Sequence, residues 1–129
     1  MTAKPTTPQP ASVTSPSADF RPEMLAPLVA MYEAEGAREL AETMRDDLPR
    51  QRADFALALD KKDRVSCARV AHSLKSEVRM VAADALGHAL ESAERDLREA
   101  NFDEGVAAMP DLLDRCGALF GKLCEAANA

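Results

Sequence analysis

Residues 69–83 read RVAHSLKSEVRMVAA and hold one of the chain's two histidines, His72, three residues before Lys75 and seven before Arg79. Residues three, four and seven apart share a face of an α-helix, so a helix here would group one imidazole with two cations. Neutral imidazole has an ordinary pKa near 6.5 and is a nucleophile at neutral pH. Lysine and arginine stay protonated, and stabilise negative charge without competing for the electrophile. That combination suits acceptance of a phosphoryl group and its onward transfer, because a phosphorylated imidazole is labile where a serine phosphate would be a dead end.

The direction of the ring follows from helical bookkeeping at about 100° per residue. Measured from Cys67, the residues Ala71, Leu74, Val78 and Val81 fall within about 40°, an apolar stripe that must face a core. His72 lies about 140° from it and is expected to point outwards. Ala68 and Ser76, four residues to either side, are small and would leave the ring open to a docking protein, while Lys75, Arg79 and Arg69 surround it with positive charge. Glu77 lies about 140° from His72 around the helix, so it need not repel a bound phosphoryl group but could affect which partner docks.

Other residues invite chemistry less well. His88 also points outwards, but Glu91 three residues on would disfavour a phosphoryl group, so a plain surface residue is expected. Asp84, Glu91 and Glu94 near His88 suggest a metal site, yet the inward Glu-x-x-His pairs of bundle metal centres are absent and no metal is expected. The segment GALFGKL at 117–123 lacks the spacing, the final Ser or Thr and the preceding strand of a phosphate loop. Without a nucleotide site the chain would have to receive its phosphoryl group from a partner. Cys67, Cys116 and Cys124 show no metal or redox spacing and read as small core residues of a reducing cytoplasm.

The elements that must position His72 are helical throughout. Aromatics make up 4% of 129 residues and tryptophan is absent, a composition that favours helices over strands. Residues 1–18 carry four of the eight prolines among Thr and Ser and are expected to form a disordered tail. From Asp19 onward, through residue 129, a single helical domain is expected. A short helix starts near Pro22 and stops at Gly36, with Leu28, Val29 and Tyr32 on its apolar side. A second carries Leu40, Met44, Leu48, Phe55 and Leu59 and is kinked or interrupted at Pro49. Three more run from about Asp63 to Val81, from about Asp84 to Ala100, and from the NFDEG segment onward through Leu112, Leu119 and Leu123, with Pro110 near the start of the last or at a kink. Short connections make this an all-α, antiparallel up-and-down four-helix bundle with an additional short N-terminal helix. The net charge of −6 argues against nucleic acid as a partner, although Lys61, Lys62, Arg64, Arg69, Lys75 and Arg79 form a basic island. No apolar run is long enough to span a membrane, and a cytoplasmic monomer is expected.

The string His72-Ser73-Leu74-Lys75-Ser76, followed by Ala83, Leu86 and Glu94, resembles histidine-containing phosphotransfer (HPt) domains, which carry H-x-L-K-G, then a Gly-Ala pair, a leucine and an LE step. This chain departs from that pattern with Ser76 for the glycine, Glu77 and Val78 for the small residues that follow, and Ala82-Ala83 for Gly-Ala. The resemblance implies a four-helix bundle that shuttles a phosphoryl group between receiver-domain aspartates in a two-component phosphorelay. It implies His72 as the phosphorylated residue and Lys75 as its charge partner, with Ala68, Arg69, Ser76 and Arg79 close to the phosphoryl group or in the docking face. The implied partners are a response-regulator receiver domain and a hybrid histidine kinase. No cofactor is implied for this chain, since the catalytic Mg²⁺ would belong to the partner receiver. A helical adaptor that binds such partners without carrying phosphate is the alternative that the departures keep open.

Overall fold

The computed structural model describes residues 16–129. Four helices follow one another, α1 (Leu25–Asp60), α2 (Arg64–Met80), α3 (Asp84–Arg98) and α4 (Phe102–Ala127), after two 3-10 turns at Pro16–Asp19 and Pro22–Met24. Three-residue connections force each of the four helices to run antiparallel to its predecessor, and α2–α3, α3–α4 and α1–α4 are the main packed pairs, closing an up-and-down bundle. No strand occurs among the described residues.

The additional N-terminal helix is present as a bent-on limb of α1. Residues 25–32 and 34–60 are helical on either side of Glu33, whose φ of 65° and ψ of 170° break the helix. The break thus lies three residues before Gly36, which is helical and does not stop the chain. A backbone of this kind is nearly confined to glycine and costs on the order of 1–3 kcal/mol in any other residue. Pro49 does not interrupt the second helix: the only residue of α1 with non-helical dihedrals is Glu33. Pro49 and Arg45, whose carbonyl loses its N–H partner, are both exposed, which leaves that carbonyl on the solvent side of the helix. Pro110 likewise lies well inside α4, on its exposed side.

Two helix ends share one device. The Asp63 N–H donates to the Ala58 carbonyl and the Ala83 N–H to the Val78 carbonyl, both at 2.9 Å. These six-to-one bonds close the C-termini of α1 and α2 with Lys62 (φ 57°) and Ala82 (φ 63°) in the left-handed region. Asp63 then caps α2, its carboxylate accepting from the Ser66 N–H at 3.1 Å and from the Ser66 hydroxyl at 2.7 Å. Asp63 therefore fixes the start of the helix that carries His72.

The core is a single cluster running the length of the bundle. From α2 it takes Cys67, Ala71, Leu74 and Val78, the expected stripe, together with Val81 just beyond. Leu86, Leu90 and Leu97 of α3 and Met109, Leu119, Phe120 and Leu123 of α4 face it and are fully buried. Ala37 and Ala41 allow α1 to approach closely. The expectation of a disordered tail over 1–18 falls for residues 1–15 outside the described residues. Pro16–Asp19 form a turn instead, because Asp19 is buried and accepts a forked pair of hydrogen bonds from Arg115 of α4, at 2.9 and 2.8 Å.

Candidate functional site

His72 sits midway along α2 with its side chain 55% exposed, as its angular position predicts. The contact that defines its chemistry comes from α3. The Nδ1 atom of His72 lies 3.1 Å from Oε2 of Glu94. Lys75 Nζ donates to the other carboxylate oxygen at 2.8 Å, and Arg98 donates to Oε2 at 3.2 Å. Burial alone would raise the Glu94 carboxyl, but the hydrogen bonds from Lys75 and Arg98 outweigh it and hold Glu94 below the usual range, hence ionised. An ionised carboxylate only accepts, so Nδ1 must carry the ring hydrogen. The lone pair then resides on Nε2.

This arrangement revises the reading of Lys75. It was expected to face outwards as a free charge, but its side chain is only 14% exposed and lies across the α2–α3 interface on Glu94. Lys75 and Arg98 together exceed the one carboxylate they share, which leaves one net positive charge beside the imidazole. Sequence reasoning missed Glu94 in this role, because a partner 22 positions away on another helix has no signature in local spacing. The signal available was its place in phase with Leu90 and Leu97, along the edge of α3 that faces α2.

The remaining candidates divide. Ala68 is fully buried rather than exposed beside the ring: the bundle covers a wider arc of α2 than the apolar stripe alone, reaching the position one residue on from Cys67. Ser76 is exposed, and its hydroxyl turns back to donate to the His72 backbone carbonyl at 3.2 Å, so the side chain stays low against the helix. Arg79 shares the face of His72 but pairs with Glu91 of α3 at 2.8 Å. Arg69 is exposed on the opposite flank, where with Ser73, Val70, Leu57, Ala58 and Lys61 it lines a groove of about 300 Å³ between α1 and α2. A second depression, of about 240 Å³ on the α3 flank, is lined by Lys75, Arg95 and Arg98 and by the carboxylates Glu91, Glu94 and Glu99.

Glu77, expected to bear on partner choice, lies on the α1 flank of α2, where its partner Gln51 also lines the α1–α2 groove. It is half-buried against α1, accepting at 3.1 Å from the buried Gln51 amide, which also donates to Asp47. Its other oxygen, Oε1, has no hydrogen-bond partner among the described residues. Burial, with the nearby Asp47 charge, pushes the Glu77 carboxyl up despite the Gln51 bond. His88 is exposed, and among the described residues no group of three or more His, Cys, Asp or Glu side chains is arranged to hold a metal ion.

The bundle, its outward histidine and the charged cradle behind it define a phosphotransfer class of helical domain, and comparison with known families agrees. The family model for the Hpt domain matches residues 39–126, and the chain belongs to that family. Hpt domains are phosphocarriers of phosphorelays that act with receiver domains and histidine kinases, and histidine phosphotransfer is the general role the family assigns here. No curated protein and no solved structure matches the chain significantly. No described helix is long and apolar enough to cross a membrane.

Proposed function

We propose that His72 is the residue that carries the phosphoryl group, taking it from an aspartyl phosphate of one receiver domain and delivering it to the aspartate of another. The observation that carries this reading is the bond between His72 Nδ1 and the ionised Glu94. With Nδ1 as donor, Nε2 is the only nucleophilic nitrogen, on a ring open to a partner.

In the forward step the Nε2 lone pair attacks phosphorus while the bond from phosphorus to the aspartate oxygen breaks, its electron pair leaving on the carboxylate. Nδ1 keeps its hydrogen throughout. The positive charge that develops on the ring is met by Glu94, and the phosphoryl oxygens by the net positive charge of Lys75 and Arg98. Reversal of the same step on a second receiver completes the relay. The receiver contributes its acidic pocket and Mg²⁺. This chain contributes the nucleophile, the surrounding charge and the docking surface, for which the α1–α2 groove with its exposed Leu57 is suited. Free, buried cysteines are in keeping with a reducing cytoplasm.

Incubation with a phosphorylated receiver should label the chain with phosphate that is lost in acid and kept in base. His72→Gln should take up none. An unlabelled wild type, or equal labelling of the variant, would overturn the assignment in favour of a binding adaptor.

A further inference from the structure

The N-terminal limb of α1 is unlike the rest of the surface. Residues 25–32 read LAPLVAMY and carry no charge, yet only Leu28 is buried, while Val29, Met31 and Tyr32 stand exposed. Three sets of contacts seat this limb and the turns before it on the bundle. Asp19 pairs with Arg115, Met24 and Leu28 are buried, and Arg21 donates to the Ala82 carbonyl at 3.1 Å. The limb joins the long part of α1 through Glu33 alone, at φ 65°. Gly36 is what lets the chain bend there: a Cβ at that position would meet the Tyr32 Cβ at 2.9 Å. In a straight helix two such atoms, four residues apart, stand about 5–6 Å from each other. All of this precedes residue 39, where the family match begins.

We propose that Glu33–Gly36 is a hinge through which the segment from Asp19 to Tyr32 exchanges between two copies of this chain. Opening brings Glu33 into helical conformation, joins the two limbs of α1 into one helix and vacates the seat on the bundle. The partner that fits that seat is the same segment of a second copy, because its complementarity is already demonstrated within one chain: Asp19 meets Arg115, Arg21 meets the Ala82 carbonyl, and Met24 and Leu28 fill the same apolar site. Closed and exchanged forms therefore share their docking contacts, and the exchanged form alone is free of the strained residue. Loss of translational freedom opposes it, so the balance is set by concentration. Each bundle stays complete, and an exchanged pair presents two His72 sites.

Sedimentation of the full chain across a concentration series tests this. Gly36→Ala, which penalises only the bent form, should raise the dimerisation constant by about tenfold or more, and Glu33→Gly, which relieves the bend, should lower it by a similar factor. A chain carrying Asp19→Arg mixed with one carrying Arg115→Asp should give a mixed dimer that neither forms alone, since exchange restores an opposite-charge pair at both seats. A wild type and a Gly36→Ala variant that both remain monomeric at the highest concentration would overturn the proposal. So would dimerisation indifferent to both hinge substitutions, a result that decides the matter even where the charge reversals fail to fold.

Discussion

Glu94 accepts from three donors at once, and in the proposed role of His72 as phosphoryl carrier it would act in two ways. Its charge favours a protonated ring once phosphorus is attached, and its geometry fixes which nitrogen is nucleophilic. Glu94→Ala removes both effects and should slow phosphoryl transfer from a receiver about 10- to 100-fold, the range seen when the carboxylate partner of a metal-bound histidine is removed. Glu94→Gln should lie between, because an amide oxygen can still accept from Nδ1. Rapid-quench transfer assays separate the three chains. Lys75→Ala should also slow transfer without loss of helicity by circular dichroism, since Lys75 caps no helix and lies at the edge of the core.

The two half-buried glutamates respond to pH in opposite senses. Glu94 is held low, so its contribution to stability is complete above the ordinary carboxylate pKa and disappears as pH falls through its depressed value. Glu77 is pushed up by burial, so the folded state holds its proton more tightly than the unfolded one. Its favourable contribution is complete below the ordinary carboxylate pKa and is lost as pH rises through the raised one. Glu77→Gln should accordingly raise the melting temperature at pH 7, with the advantage over wild type shrinking as the pH approaches about 4. Thermal melts across that range provide the measurement, and an advantage independent of pH would show that the unpartnered Oε1 is not the source.

At the scale of elements, the turn between α2 and α3 sets the register of Lys75 against Glu94 and Arg79 against Glu91. Ala82 occupies its left-handed position at φ 63°, where a Cβ is unfavourable by roughly 1 kcal/mol. The glycine expected at this place in the family pattern has a physical purpose here, and Ala82→Gly should stabilise the protein by about that amount in chemical denaturation. That the turn persists without glycine reflects its bracing, with the Ala83 N–H bonded to Val78 and the Ala82 carbonyl to Arg21. The N-terminal segment thus supports the α2–α3 hairpin from outside the bundle.

For the whole molecule, the helical architecture could be read from the sequence because each long helix repeats its apolar residues at a helical period, and short connections leave few ways to bury them. His72 could be read as outward because only its own helix decides its angle. The contacts of Lys75 and Glu77 have no local sequence mark, since they are set by Glu94 on α3 and by Gln51 on α1, and angular position alone does not say how far a neighbouring helix reaches. From the sequence, Gly36 is the natural place for the break in α1, because glycine is the residue that tolerates a bend. The structure instead has Glu33 adopt the bent backbone while Gly36 makes room for Tyr32, a division of labour with no local sequence mark.

The three cysteines have a practical consequence. All are free and buried, Cys67 in α2 and Cys116 and Cys124 in α4, and burial pushes the Cys116 thiol up to about 12. A native chain is therefore almost inert to alkylating reagents, and each thiol reacts only when its helix opens. Labelling rates at Cys67 compared with Cys116 would time the opening of the helix that carries His72 against that of the helix opposite, using reporters the protein already contains.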